Sequence, residues 1–179
     1  NFSDKGNCIV DLRTNTLVLA TPTTVIPDDG SVKIIGSSAF MSARSITSIV
    51  IPEGVKIIER NAFKTCMSLE SVTLPDSLEV IESSAFIFCQ SLKTLELGTN
   101  LKAFGQMVFH RMYCPTMYYK GTVEQWLAVA KPLTSNVAIS IPVICTDGES
   151  LSNVGNQSQY HWQLLPEFEG YLKDQRGEF

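Results

Sequence analysis

Ile51-Pro52-Glu53-Gly54-Val55-Lys56-Ile57-Ile58-Glu59-Arg60-Asn61-Ala62-Phe63-Lys64-Thr65-Cys66-Met67-Ser68-Leu69-Glu70-Ser71-Val72-Thr73 is one period of this chain, and reading it as a period decides the fold. The Ala62-Phe63 pair has counterparts in Ala39-Phe40, Ala85-Phe86 and Val108-Phe109, each phenylalanine 23 residues from the next. Self-similarity at a fixed spacing of this size is the mark of stacked repeats. Aligned on the phenylalanines, other columns also match: Ile46, Leu69, Leu92; Ile49, Val72, Leu95; Ile51, Leu74, Leu97. Val72 and Leu74 are two apart, so in a strand both face the same way. Pro52 and Pro75 follow at once, and a residue without an N–H fits a strand end. The next piece is short and mostly β-branched (Val55-Lys56-Ile57-Ile58, and its equivalents at 32–35, 78–81 and 101–104), which predicts a second strand. Gly36-Ser37-Ser38, Glu59-Arg60-Asn61 and Glu82-Ser83-Ser84 then supply residues suited to capping a short helical turn around the Ala-Phe pair.

A unit this small cannot bury its apolar side alone. Stacked units can, with phenylalanine on phenylalanine and leucine on leucine. The expectation is a right-handed solenoid of about four units, its strands in parallel sheets about 4.7–4.9 Å apart. Asp28-Asp29-Gly30-Ser31 stands where the next unit has Glu53-Gly54, a loop insertion of the kind repeat arrays tolerate. In the fourth unit Gly98 replaces proline, Met112 replaces cysteine and Pro115 replaces leucine, which marks the degenerate end.

The flanks read as caps. Residues 1–7 are polar and read as loose; 8–12 and 16–20 read as a hairpin turning at Asn15, a residue that tolerates positive φ. Thr122-Val123-Glu124-Gln125 has the pattern of a capping box. Val123, Trp126, Leu127 and Ala130 then keep helical spacing until Pro132, with Trp126 on the apolar side. Residues 137–141 and 143–145 read as strand. The expected organisation is therefore an N-terminal capping hairpin (1–25), repeats (26–121), a C-terminal cap of helix and strand (122–148) and a tail (149–179). The tail opens with a Ser-, Asn- and Gly-rich linker and continues with Tyr160, Trp162, Leu164, Leu165, Phe168, Tyr171 and Leu172.

Ile51-Pro52, Val55, Ile58, Ala62-Phe63, Cys66, Leu69 and Val72, with their equivalents one period on, resemble the BspA-type leucine-rich repeats of bacterial surface proteins. Asn7 to Val10 with Thr14 to Val18 resembles that family's leading hairpin. Tyr118 to Thr122 with Gln125-Trp126, and then Cys145 to Gly148, resembles its usual ending. The resemblance implies a leucine-rich-repeat solenoid: a right-handed superhelix with a parallel β-sheet, short second strands and short helical turns. It also implies an exported or surface-attached module that binds protein or host matrix without catalysing a reaction.

Charge narrows the partners. The net charge is −4, from 14 basic and 18 acidic residues, and the excess lies beyond Thr146 in Asp147, Glu149, Glu167, Glu169, Asp174 and Glu178. The repeats are balanced and carry no basic stripe, which argues against nucleic acid or an anionic membrane as partner. No apolar run is long enough to span a bilayer. A chain that starts at Asn1 is compatible with a leader or anchor removed elsewhere. Of the five cysteines, Cys66 and Cys89 share a column and read as buried free thiols rather than a bridge. The odd count does not suggest a disulfide scaffold.

Chemistry has few candidates. His110 and His161 lie in different regions, and the serines around His110 are those that corners require. Cys89, His110, Cys114 and Cys145 are zinc-compatible types without zinc spacing. No phosphate-binding glycine loop occurs, and no cofactor is expected. Asn1-Phe2-Ser3 and Asn156-Gln157-Ser158 fit the glycosylation pattern. The outward side of the main sheet is the candidate binding face: Thr47, Ser48 and Val50; Glu70, Ser71 and Thr73; Lys93, Thr94 and Glu96; Met117 and Tyr119. Glu70 and Lys93 occupy one column and can pair across the ladder. A solvated face with matched charges is the bland alternative. A carbohydrate-binding or enzyme-associated accessory domain, with an aromatic platform of Tyr118, Tyr119 and Trp162, is the functional one, and a plain spacer the third.

Overall fold

The computed structural model describes residues 2–112, 116–130, 143–147 and 150–151. Two parallel sheets run the length of the stack. The first strand of each unit forms one sheet: β5 (Ser48–Val50), β7 (Ser71–Thr73), β9 (Thr94–Leu97) and β11 (Thr116–Tyr119). The second strands form the other: β4 (Ile34–Ile35), β6 (Ile57–Ile58), β8 (Val80–Ile81) and β10 (Ala103–Phe104). Ser48, Ser71 and Thr94 pair in register, as do Ile34, Ile57 and Val80, so equivalent residues sit directly over one another.

The phenylalanines form a single file. Ring centroids of Phe40 and Phe63 are 4.7 Å apart, of Phe63 and Phe86 5.1 Å, and of Phe86 and Phe109 6.4 Å, all stacked. Phe40, Phe63 and Phe86 are essentially inaccessible to solvent, and burying one such ring contributes about 1.5–3 kcal/mol. One core runs from the N-terminal hairpin through the leucine columns to Trp126 and Val143. Ile35, Ile58 and Ile81 belong to it, whereas Ile34, Ile57 and Val80 form a separate buried cluster. The second sheet is therefore apolar on both sides, as parallel strands covered on both faces tend to be.

The segment holding the Ala-Phe pair differs from the expected helical turn. Alternate residues close tight turns inside their own coil: the N–H groups of Ala39, Ala62 and Ala85 donate to Gly36, Glu59 and Glu82 carbonyls. The residues between them donate to the next coil. Phe40 N–H meets Ala62 O at 2.8 Å, Phe63 N–H meets Ala85 O at 2.8 Å, and Asn61 N–H meets Ser83 O at 3.2 Å. A helix would direct every N–H along its own axis and leave the neighbouring coil's carbonyls unsatisfied. Alternation requires left-handed backbone in two columns, and Ser38, Asn61, Ser84 and Met107, with Ser42, Thr65, Phe88 and Arg111, all have φ between 52 and 63°. Cys66 and Cys89 are free thiols whose S–H groups donate to the carbonyls of Phe40 (3.0 Å) and Phe63 (3.2 Å). Burial pushes the Cys66 thiol up to about 11 and the Cys89 thiol up to about 12.

The N-terminal hairpin is β2 (Cys8–Asp11) and β3 (Thr16–Ala20), with Asn15 at φ 53° in the turn. It caps the stack by joining the second sheet: Thr16 and Leu17 pair in parallel with Ile34 and Ile35. Gly36 sits against this junction, where an added Cβ would lie 2.6 Å from the Leu17 carbonyl oxygen. Residues 2–7, expected to be loose, are ordered instead. β1 (Phe2–Ser3) pairs antiparallel with β2, and Lys5–Asn7 makes a 3₁₀ turn. Backbone pairing, to which side-chain polarity is indifferent, fixes them.

At the other end, α1 (Val123–Ala130) begins with the expected capping box. Thr122 N–H donates to Gln125 Oε1 at 2.9 Å, and Gln125 N–H to Thr122 Oγ1 at 3.3 Å. Trp126 is buried against Phe104 and Tyr119. β12 (Val143–Ile144) extends the first sheet in parallel beside β11, and β13 (Ser150–Leu151) pairs antiparallel with β12. The expected strand at 137–141 and the stop at Pro132 lie outside the described residues, as does most of the expected tail.

Two outcomes follow. Phe63→Ala removes the middle of the file and should cost about 3–5 kcal/mol, read as a lowered urea midpoint. The Cys66 and Cys89 thiols stay protonated when folded but ionise near 9.0 when unfolded. Their stabilisation is therefore complete below about 9 and is lost as pH rises toward 11–12. The unfolding midpoint should fall more steeply over that range in the natural chain than in a Cys66→Ala/Cys89→Ala variant; equal slopes would refute the assignment.

Candidate functional site

Strand alternation sorts the residues of the first sheet. Ile49, Val72 and Leu95 point into the core, and Leu97 closes the end of β9. Ser48 and Val50, Ser71 and Thr73, Thr94 and Glu96 point out and are exposed, and Thr47, Glu70 and Lys93 are exposed where the chain enters each strand. Nine of the eleven expected face residues are thus brought together on one surface.

Met117 and Tyr119 are the correction. Both are buried, at 0% and 2% exposure, and Tyr118 between them is the outward residue at 40%. Met117 pairs with Leu95 and Tyr119 with Leu97, so the fourth unit is one residue shorter than the period. A slip of one residue in a strand exchanges its two faces. Burial raises the Tyr119 phenol, with Cys145 adding to the effect. An aromatic platform of Tyr118 and Tyr119 is therefore not formed, and Trp162 lies outside the described residues.

The centre of the face is a column of small hydroxyls, Ser48, Ser71 and Thr94, in register. Beside it the Lys93 ammonium is paired with the Glu70 carboxylate. Both groups are largely exposed, so the pair contributes under about 1 kcal/mol and chiefly neutralises that edge. On the other side run Val50, Thr73, Glu96 and Tyr118, and Ile144 continues the row beside Tyr118. Beyond the row, Lys120 reaches back over two units to Asp76 at 2.7 Å. Gly98 stands between them, where an added Cβ would lie 3.0 Å from Asp76 Oδ1. The bond to Asp76 raises the Lys120 ammonium above its ordinary range, with help from Glu96 and Glu53. The Glu53 carboxylate is itself held by the Asp76 and Ser77 N–H groups at 2.8 and 3.2 Å.

One part of the surface was not anticipated. A shallow depression at the N-terminal end is lined by Val25, Pro27, Val50 and Pro52, with Lys5, Asp28 and Asp29 at its rim. Val25 is 71% exposed and Val50 64%. Val25 stands one period before Ser48, so the repeat columns held the signal.

Elsewhere, His110 belongs to the corner run of the fourth unit, its N–H bonded to Met107 O, and not to this face. Cys89 and Cys145 are buried. Cys114, His161, Asn1 and Asn156 lie outside the described residues. Among the described residues no three His, Cys, Asp or Glu side chains are grouped to hold a metal ion.

Comparison with known proteins places this geometry. The signature of the BspA type leucine-rich repeat region matches residues 22–126, in six copies. A leucine-rich repeat protein from Bacteroides capillosus is similar in structure, with a TM-score of 0.58 and 25% identity, over 67% of this chain and 99% of that one. The pneumococcal vaccine antigen PcpA is similar over 68% of this chain, with a TM-score of 0.61 and 24% identity; this chain spans 31% of its length. A leucine-rich cell surface protein from Faecalibacterium prausnitzii is similar over 72% of this chain and 42% of its own, with a TM-score of 0.57 and 19% identity. A search of curated proteins finds no match.

The register of β11 can be tested directly. Met117→Asp buries an unpaired carboxyl and should cost several kcal/mol, whereas Tyr118→Asp should change stability by about 0.5 kcal/mol or less. The reverse order in thermal unfolding would restore the uniform period.

Proposed function

Because the chain belongs to the BspA-type leucine-rich repeat family, we propose that it is a non-enzymatic protein-interaction module of a secreted or surface-attached protein. Its contact surface is the outward side of the first sheet, and its partner a host or matrix protein. The observation that carries this reading is the registered array of exposed side chains, Ser48, Ser71 and Thr94 flanked by Val50, Thr73, Glu96 and Tyr118, on a backbone locked from both ends. Such a face offers hydroxyls that donate or accept, the carboxylates of Glu70 and Glu96, and apolar groups at its two ends, which is the composition of a recognition surface rather than of a reaction centre. The mechanism is presentation: a rigid stack fixes side chains at strand spacing, so little ordering entropy remains to be lost on binding. Family membership supports export. No helix among the described residues is long and apolar enough to cross a membrane, in keeping with a module displayed by other means.

A glycan-binding role has less support, since the face presents Tyr118 alone of the two adjoining tyrosines.

Incubating the immobilised chain with an extracellular-matrix protein extract tests the reading. Capture should fall several-fold in Thr73→Arg, at the middle of the face, and stay unchanged in Gln90→Arg, an exposed corner residue outside it. Equal capture by both variants and the natural chain would exclude this surface, and no capture by any of them would leave the spacer role.

A further inference from the structure

The charges on the contact face do not cancel evenly along it. Glu70 and Lys93 neutralise one another toward its middle. Along the edge where the turns leave the strands, the carboxylates of Asp76, Glu96 and Glu53 all act on the Lys120 ammonium. That ammonium is committed to Asp76 at 2.7 Å. Glu53 spends its oxygens on two backbone N–H groups but keeps its charge. Glu96 is exposed, and its carboxylate makes no hydrogen bond or ion pair among the described residues. It stands in register beside Tyr118, which is 40% exposed, and Tyr118 stands beside Ile144, 37% exposed. A solvated carboxylate next to an aromatic ring and an aliphatic side chain is a complete receptor for one class of group. The carboxylate meets a cation, the ring face attracts it through its quadrupole, and the aliphatic group covers the cation's alkyl stem.

Resting on the assignment of this face as the contact surface, we infer that Glu96, Tyr118 and Ile144 receive a basic side chain of the partner protein, an arginine in the best-fitting case. The planar guanidinium can lie on the tyrosine ring while its N–H groups address the carboxylate, which a lysine ammonium does less well. The partner segment is basic because the Glu96 carboxylate is exposed and has no ion pair among the described residues, the nearby Lys120 being taken by Asp76. Lys120 is then an internal competitor. It offers the same kind of charge to the same cluster, and the Asp76 pair restrains it from occupying Glu96.

The test is an NMR titration of the whole ¹⁵N-labelled chain with Nα-acetyl-arginine methylamide, and in parallel with Nα-acetyl-glutamate methylamide. The arginine derivative should give saturating shifts at millimolar concentration, largest in the amides of 94–97 and 116–119. The glutamate derivative should give none there. Glu96→Gln and Tyr118→Ala should each weaken binding roughly two- to fivefold, as suits exposed charge and ring contacts. Lys120→Met should tighten it, a change that a purely structural part for these residues does not produce. No saturating shift with the arginine derivative, equal shifts with both derivatives, or no loss in Glu96→Gln would each overturn the inference. If the titration is flat while Thr73→Arg still abolishes capture from the matrix extract, only the basic-group receptor falls and the contact face stands.

Discussion

The structure depends on one constraint: a 23-residue coil can bury its phenylalanine only against the phenylalanine of another coil. Phe63 lies between rings at 4.7 and 5.1 Å, and no other arrangement of so short a unit would dry both of its faces. The rest of the period serves that contact. The leucine and isoleucine columns widen the dry strip, the second strands close it from behind, and polar groups tie neighbouring corners across the stack. Glu59 and Glu82 accept the N–H groups of Ser37 and Arg60 one coil earlier, and Ser77 bridges the Gly54 N–H and the Val55 carbonyl. Each of these corner residues finds its partner in the neighbouring coil, in its own column or one residue off it.

A stack has two open ends, and the chain closes them by different means. At the start the hairpin adds strands to the second sheet, so the ladder that would be exposed at Ile34–Ile35 is paired with Thr16–Leu17. At the finish the closing element is a side chain. Phe104 and Phe109 meet edge-on at 5.7 Å, and Trp126 then covers Phe104 and Tyr119. The file of parallel rings ends where the last partner turns across it, which leaves no face for a further phenylalanine to occupy.

Most of this was legible in the sequence because the period repeats faithfully through three units. The phenylalanine file, the strand pairs, the hairpin with Asn15, the capping box at Thr122, the thiol column and the Glu70–Lys93 pair all come from residues that either recur or obey local rules. The register of β11 did not, because the shortening falls between Phe109, which keeps the period, and a strand reading Met117-Tyr118-Tyr119, apolar whichever way it faces. Lys120 held the missing signal. A uniform period would place it over Leu97, in the dry column, whereas the shorter unit sets it over Gly98, from which it reaches Asp76. A buried lysine without a partner is costly enough to decide a register that hydrophobicity leaves open.

The corners were misread for a related reason. Capping residues beside an Ala-Phe pair satisfy a helical turn locally, and the demand that overrides them comes from the adjacent coil, which no single unit displays. Left-handed backbone at Thr65 or Phe88 costs about 1–2 kcal/mol per residue, since neither is a glycine. In each case the strained residue sends its N–H into the next coil, Thr65 to Ile87 O at 2.9 Å and Phe88 to His110 O at 3.1 Å. The cost falls within one coil and the compensating bond spans two, so a coil adopts its native corner only when its neighbour is already in place. Cooperativity is therefore built into the backbone as well as the core. The spacing of Ser48, Ser71 and Thr94 on the outward face inherits that rigidity, because no coil can shift its strand without also releasing the corner bonds that hold the strained residues of the coil before it.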